Sequence, residues 1–374
     1  MTVLVTGANG FIGKNLLVSL AERADIKVTS FCSADSPEAL PGLVRDADFI
    51  FHLAGVNRPK NVEEFGTGNA GMTQTLISHL VEQGKTTPLL IPSSIQAAQD
   101  NPYGISKRQA EDAVFAYGSR SGAAVYVYRL PNVFGKWCRP NYNSAVATFC
   151  NNIAADLPIQ VNDPSVTMNL VYIDDVVNEF IAALDGKVQM TGSFCEVRPV
   201  HTTTLGGIVD LLHSFKESRA TLVIPDMSDP FTKKLYSTYL SYLPQNSFSY
   251  PLKMNKDERG SFTEFIKTAD RGQVSVNISK PGITKGEHWH HTKNEKFLVV
   301  SGQGVIRFRR VVGSEEVIEY PVSGDTLEVV DIPTGYTHNI SNTGDTDLVT
   351  VMWCNEIFDP AKPDTFFLPV EKKS

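Results

Sequence analysis

Two groups of residues in this sequence have types and spacings suited to chemistry. The denser group lies late in the chain. His288, His290 and His291 fall within four residues, Glu295 follows, and His338 comes after Pro333-Thr334-Gly335-Tyr336-Thr337. His288 and His290 are two apart, so along a strand they share a face. Glu295 and His338 can converge on that face from neighbouring strands. Three imidazoles and one carboxylate form a shell suited to zinc, or to iron, manganese or nickel. Four of the chain's eight histidines lie in this one region, which weighs against chance and in favour of a metal over a structural histidine cluster. His291 takes the place of His290 if a bulge shifts the strand face. The second group is Tyr103-Gly104-Ile105-Ser106-Lys107. Four residues apart on a helix means one face. There the Lys107 ammonium is expected to lower the pKa of the Tyr103 phenol, making it a proton donor and acceptor near neutral pH. A serine ending the preceding strand, Ser94 or its neighbour Ser93, is placed to hydrogen-bond a substrate carbonyl.

The elements that must carry Tyr103 begin at the first residues. Met1-Thr2-Val3-Leu4-Val5-Thr6 is an apolar run, Gly7-Ala8-Asn9-Gly10-Phe11-Ile12-Gly13 follows, and Lys14 to Glu22 is amphipathic. This predicts strand, glycine turn and helix, the opening of a dinucleotide-binding βαβ unit. Gly7 allows the tight turn, Gly10 lets backbone approach a pyrophosphate, and Gly13 lets the helix lie close to the sheet. The pyrophosphate is expected on the helix's free N–H groups. Ile26 to Phe31 reads as a second strand. It ends in Cys32-Ser33-Ala34, with Asp35 late, where an NAD enzyme places a ribose-binding carboxylate. That leans towards NADP, and Arg58 in a later loop is a candidate partner for the 2′-phosphate. Ala47 to Gly55 is a third strand, in which His52 is a packing residue. Asn69 begins a helix running from Ala70 to Gln83, Pro88 to Pro92 is a buried strand, and Lys107 to Tyr117 is helical.

Beyond a helix over Leu205 to Ser214, a strand-like Ala220 to Ile224 and a helical pattern from Asp229 to Leu243, the run Gln245 to Pro251 breaks the periodicity. A boundary near residue 245 is expected, giving domains 1–245 and 246–374. After it come short apolar segments separated by turns, from Gln273 to Cys354, which predict an all-β sandwich or barrel. At 374 residues the chain is long enough for two cores. A net charge of −7 argues against nucleic acid or an anionic membrane surface as partner. No apolar run approaches a membrane span. Five scattered cysteines without a CxxC pair fit reduced thiols, and a strand starting at residue 1 leaves no room for a signal peptide. A cytoplasmic location is expected.

Gly7-x2-Gly10-x2-Gly13, His52-Leu53-Ala54-Gly55, Ser94, Tyr103-x3-Lys107, Arg129 to Gly135 and Val171 to Val176 together resemble the extended short-chain dehydrogenase/reductases, over about residues 1–240. The resemblance implies a Rossmann-type doubly wound parallel α/β sheet and nucleotide-sugar substrates. It implies Ser94, Tyr103 and Lys107 as the catalytic set, with Asn69 in support. It implies cofactor contacts from Gly7, Asn9, Gly10, Phe11, Ile12, Gly13, Leu53 and Ala54, together with Tyr103 and Lys107. The dehydratases of that family place Asp-Glu beside the serine. Here Ile95-Gln96-Ala97 follows Ser94, so a reductase is expected, because hydride transfer needs only Tyr103 and the nicotinamide.

Gly282-x5-His288-x-His290-x4-Glu295-x6-Gly302, then Pro333-x-Gly335-x2-His338-x3-Asn342, resembles the two motifs of the cupin superfamily, which implies His288, His290, Glu295 and His338 as ligands of zinc or another divalent metal. Asp257 to Glu264 is similar to a segment of cupin-fold deoxysugar 3,5-epimerases; its plain alternative is a polar turn between strands. The whole chain resembles the bifunctional capsule- and O-antigen-precursor enzymes, a reductase fused to a cupin. This implies a homodimer that uses NADPH to make UDP-2-acetamido-2,6-dideoxy-L-talose from a UDP-sugar, with a zinc cupin epimerising C3 before reduction at C4. His291, if free of a metal, is the first candidate for the epimerase base. An NADP-binding redox sensor with a ligand-binding cupin is the competing class, against which the intact Tyr103/Lys107 pair speaks.

Overall fold

The computed structural model describes residues 1–371. The chain forms two compact units, Met1–His213 with Ser228–Pro244, and Ser214–Met227 with Gln245–Ser374.

In the first unit, β1 (Thr2–Thr6), β2 (Lys27–Phe31), β3 (Phe49–His52), β4 (Leu89–Ser94) and β5 (Val125–Leu130) form a parallel sheet in the order β2-β1-β3-β4-β5. Phe194–Cys195 extends it in parallel beside β5 and Met190–Thr191 closes it antiparallel. The central strands are continuous apolar runs because both sheet faces are covered. Successive residues go to opposite layers. Val3, Val5, Phe49 and Phe51 pack with Leu16 and Leu20 on one side, while Leu4, Ile50, Leu89 and Ile91 pack with Leu76, Leu80, Val114 and Tyr117 on the other. Each such buried side chain contributes roughly 1.5–3 kcal/mol. This is the expected doubly wound α/β sheet.

The helix carrying Tyr103 runs from Pro102 to Ser121 and starts five residues earlier than its apolar pattern suggests. Pro102 occupies its first turn, and the Asn101 side chain accepts from the Gly104 N–H at 2.8 Å. Tyr103 therefore sits in the first turn, at the carboxyl-end edge of the sheet, where ligands bind in such folds. Two further departures are local. A π-helical turn over Gly66–Gly71 precedes the helix Met72–Glu82, carrying Asn69 inside it rather than at a helix start. The helix beginning at Leu205 continues to Thr221, so Ala220 is helical and only Val223 makes a β-bridge, to Lys267.

Apart from the end of that helix and a 3-10 turn at Gln245–Ser247, the second unit consists of two antiparallel sheets. One sheet has the order Met254–Asp257, Gly260–Thr268, Gly272–Ser279, Leu348–Cys354, Glu295–Ser301, Val329–Ile332. The other runs Val317–Ser323, Gln303–Arg310, Tyr336–Asn342, Thr284–Trp289, Phe366–Phe367. Phe297, Val299, Ile332 and Leu348 of the first sheet pack on Ile306, Phe308, Val322 and Ile340 of the second. Along Gly272–Ser279 the usual pattern is inverted. Gln273, Ser275, Asn277 and Ser279 are buried, while Val274, Val276 and Ile278 are only partly so. Three of those buried polar side chains, Gln273, Ser275 and Asn277, line a cavity. Among the described residues no helix is long and apolar enough to cross a membrane.

Candidate functional sites

The first site is a cavity of about 830 Å³ beside the glycine turn. Gly7 has φ +68°, and a Cβ there would stand 2.6 Å from the Ala54 nitrogen. A Cβ on Gly13 would meet the Gly7 carbonyl oxygen at 2.5 Å, so helix and turn touch backbone to backbone. Gly10 caps the helix Phe11–Ala21 without any side-chain hydrogen bond, and no acidic residue lies in the first turn. The helix N–H groups and the positive end of its dipole are left for an anion. Gly7, Asn9, Gly10, Phe11, Ile12, Gly13 and Leu53 line the cavity together with Ser94, Tyr103 and Lys107. Ala54 and Arg58 are outside that lining. The Ala54 N–H donates to Thr6 Oγ1 at 3.2 Å, and the Arg58 guanidinium donates to the Tyr142 carbonyl oxygen. Lys14, Lys107 and Arg139 line the cavity, and among the described residues no carboxylate does. Asp35 is turned away, its carboxylate accepting from the Cys32 N–H at 2.6 Å.

Around Tyr103 the structure corrects one expectation. The phenol is not pulled down by Lys107. Burial pushes it above its ordinary value, opposed by a hydrogen bond with Ser94. Lys107 carries the larger perturbation: burial lowers its ammonium to about 8, with Glu111 opposing, and Nζ donates to the Pro92 carbonyl at 3.1 Å. The two serines are distinguished by their partners. Ser93 donates to Glu111, which Arg129 holds at 2.6 Å, whereas Ser94 is the one that acts against the rise of the phenol. Asn69, 2% exposed, accepts from the Val56 N–H at 2.9 Å and donates to the Val56 carbonyl and to Ser106 Oγ, each at 3.0 Å. It ties the loop after β3 to the Tyr103 helix. His52 is a packing residue, 3% exposed and bridging Thr6 and Thr73 at 2.7 and 3.0 Å. Burial, then the Lys107 charge, lowers it to about 4. Two neighbours of Tyr103 were not foreseen. Its hydroxyl donates to Asn57 Oδ1 at 3.1 Å, and its ring packs against Phe65, centroids 5.5 Å apart.

The second site is built on two antiparallel strands. His288 on Thr284–Trp289 pairs with His338 on Tyr336–Asn342. The register slips between Gly286 and His288, where Glu287 takes φ +61°. Asn339 and the Val370 N–H hold that bulged carboxylate at 2.8 and 2.6 Å. One ligand atom from each of His288, His290, Glu295 and His338 lies within 4.8 Å of the others. His290 lies just past the strand, and its Nδ1 is fixed by the Asp364 carbonyl oxygen at 2.6 Å, which aims Nε2 at the cluster. Glu295 Oε2 is 3.5 Å from His290 Nε2 and 3.3 Å from His338 Nε2. For comparison, bonds of about 2.0–2.1 Å to a tetrahedral ion put neighbouring ligand atoms about 3.3 Å apart. His290 Nε2, Glu295 Oε2 and both His338 nitrogens are buried without a hydrogen-bond partner. Such orphaned polar atoms carry a penalty that a cation would remove. Burial and then the His338 charge lower His288 to about 4, leaving a neutral imidazole. Burial alone would raise Glu295, but His290 and His338 hold it well below the carboxylate range. The donor set fits a divalent metal.

His291 does not substitute for His290. Although a bulge is present, the His291 side chain is exposed and packs on Trp289 and Phe366, centroids 4.4 and 4.9 Å apart. Asp364, from the C-terminal tail, was also missed. Its carboxylate accepts from the N–H groups of His291, Thr292 and Lys293 at 2.8–3.0 Å. Next to the cluster lies a cavity of about 900 Å³, lined by His288, Glu295 and His338 and by the polar strand side chains. Asp257, Arg259, Ser261 and Glu264 of the hairpin between Met254 and Thr268 also face it.

Comparison with known proteins places both units. Residues 3–192 match the NAD dependent epimerase/dehydratase family and residues 255–366 match the polysaccharide biosynthesis C-terminal domain. The chain is 49% identical over 366 residues to the UDP-2-acetamido-2,6-beta-L-arabino-hexul-4-ose reductase of Pseudomonas aeruginosa, covering 98% of each chain. The crystal structure of the capsular polysaccharide assembling protein CapF from Staphylococcus aureus is 57% identical, covers 99% of this chain and 100% of its own, and superimposes with a TM-score of 0.94. A UDP-glucuronic acid 4-epimerase from Bacillus cereus, 20% identical over 65% of this chain and 98% of its own, shares the fold at a TM-score of 0.55. This chain therefore belongs to the nucleotide-sugar epimerase/reductase family of CapF and the P. aeruginosa ketoreductase, an N-terminal NAD(P)-binding domain joined to a C-terminal cupin-like domain.

Proposed function

We propose that the chain converts a UDP-2-acetamido-2,6-dideoxy-4-hexulose to UDP-2-acetamido-2,6-dideoxy-L-talose by C3 epimerisation in domain 246–374 and C4 reduction in domain 1–245. The observation that carries the reading is the first cavity. Tyr103 and Ser94 face the same space as the glycine turn, and among the described residues that space is lined by three cations and no carboxylate. Such a lining suits two pyrophosphates, one from the dinucleotide and one from UDP. The absence of a ribose carboxylate favours NADPH over NADH. Bound there, NADPH supplies the hydride. Ser94 orients the C4 ketone, Tyr103 gives its proton to the C4 oxygen, and Lys107 supplies the positive charge behind them. The phenol's raised pKa suits this direction, because reduction calls for a tyrosine that arrives protonated.

Epimerisation comes first on chemical grounds. Hydrogen at C3 is acidic only while C4 is a ketone, since the carbanion is then delocalised as an enolate. His288, His290, Glu295 and His338 would hold a divalent metal, zinc in this reading, which supplies positive charge for an enolate oxygen. The polar strand beside the cluster offers amides and hydroxyls to the sugar's own hydroxyls. His291, exposed on Trp289, is not the base; the C3 proton moves through a titratable group lining the cavity, such as Lys285 or Glu264. The five free cysteines fit a reducing cytoplasm, and a homodimer follows the family resemblance. The test is Tyr103→Phe. NADPH oxidation with the UDP-ketose should fall on the order of a hundredfold or more, while solvent deuterium still enters C3. Loss of both activities would sink the two-site reading.

A further inference from the structure

We propose that Asn57 is a positioning residue for the ketone reduction, holding the Tyr103 hydroxyl in its proton-bearing form until the C4 oxygen of a keto sugar takes over that hydrogen bond. The inference rests on the reading that Tyr103 is the proton donor. Tyr103 donates to Asn57 Oδ1 at 3.1 Å, and both side chains line the first cavity. Asn57 lies in irregular backbone after β3, yet it is firmly placed. Its neighbour Val56 is clamped through N–H and carbonyl by the buried Asn69. Asn69 in turn donates to Ser106 Oγ, which donates to the Tyr103 carbonyl at 2.8 Å. The phenol and its acceptor are thus tied by one hydrogen-bonded path, and Phe65 packs against the ring.

An acceptor bonded to a neutral phenol stabilises the protonated form over the phenolate. In the reaction the Tyr103 O–H bond breaks and an O–H bond forms on the C4 oxygen. Hydride from NADPH adds to C4, NADPH becomes NADP⁺, and the phenolate is reprotonated from water. A carboxamide oxygen facing that phenolate repels it, so Asn57 favours the acid before transfer and disfavours premature ionisation. The other groups facing the phenol are Ser94 from the end of β4, which acts against Asn57 by lowering the phenol, and Lys107 on its own helix. Lys14 and Arg139 line the same cavity, and His52 of β3 is held neutral near the Lys107 charge. The cations all favour the phenolate, and among the described residues no carboxylate lines the cavity to oppose them.

The experiment compares full-length wild type, Asn57→Ala and Asn57→Asp, following kcat against pH with NADPH and UDP-2-acetamido-2,6-dideoxy-4-hexulose. In Asn57→Ala the basic limb should move to lower pH by about one unit, and in Asn57→Asp to higher pH, because an anionic acceptor strengthens the effect. Opposite displacements are not what a merely structural role gives. The phenol's own ultraviolet titration, taken as a difference against Tyr103→Phe, should move the same way and needs no substrate. An unchanged limb and titration in both variants, or displacement of both in one direction, would overturn the proposal. A wild type that turns over no ketose would instead defeat the functional reading, while the titration still decides the coupling between Asn57 and Tyr103.

Discussion

Replacing His290 by alanine isolates the metal reading, because the structure gives that side chain one other interaction besides the cluster. Its Nδ1 is held by the Asp364 carbonyl, leaving Nε2 aimed 3.5 Å from Glu295 Oε2, and the ring is 1% exposed. The alanine variant keeps the backbone and the Asp364 loop but removes one of four donors. Apparent binding energies of four-ligand zinc sites run to about 10–16 kcal/mol, so one ligand carries on the order of 3 kcal/mol. That corresponds to an affinity lower by on the order of a hundredfold. Elemental analysis of the purified protein, followed by competition with a chromophoric chelator, reads the change directly. Wild type should hold one metal per chain, and the variant should release it at about a hundredth of the chelator strength. A wild type without stoichiometric metal, or a variant of undiminished affinity, would refute the reasoning.

Asp364→Ala should weaken metal binding less, by about 10–100-fold, since it removes the carboxylate that fixes the loop around His290 but leaves the carbonyl that orients the ring; chelator competition again measures it, and an effect exceeding that of His290→Ala would show the ranking to be wrong. His52 should make the fold acid-sensitive. Its folded-state pKa of about 4 lies below the ordinary 6.5, so the unfolded chain binds the extra proton first. Stability is fully present above 6.5 and is lost as the pH falls to 4, by roughly 3 kcal/mol. Urea denaturation at pH 7 and pH 4.5 should show a smaller difference for His52→Gln than for wild type, and an equal difference would remove His52 as the cause.

The parts of the fold readable from sequence were those that local patterning dictates. β1, β3 and β4 are unbroken apolar runs because two helical layers cover them, and the glycine turn announces itself by spacing. The four residues read as metal ligands come together in space because strand pairing brings His338 opposite His288. What was illegible came from tertiary context. Lys107 was expected to lower Tyr103, but burial is the leading influence on both groups, raising the phenol and lowering the ammonium. No pattern in the loop after β3 singles out Asn57, because its importance lies in a contact made across 46 positions. Asp364 reaches His290 from 74 residues away. Gly260–Thr268 escaped notice as a strand because its buried positions include Ser261 and Thr263, so the alternation that marks an ordinary half-buried strand is blurred there.

The most direct measurement follows deuterium at C3 by NMR when the purified enzyme meets UDP-2-acetamido-2,6-dideoxy-4-hexulose in heavy water. Without NADPH, label should enter C3 of the ketose. With NADPH, the talo-configured alcohol should carry that label, and the isolated alcohol returned to the enzyme should gain none. An alcohol formed at full rate without label at C3, or a ketose that exchanges nothing, would contradict an epimerisation that precedes reduction.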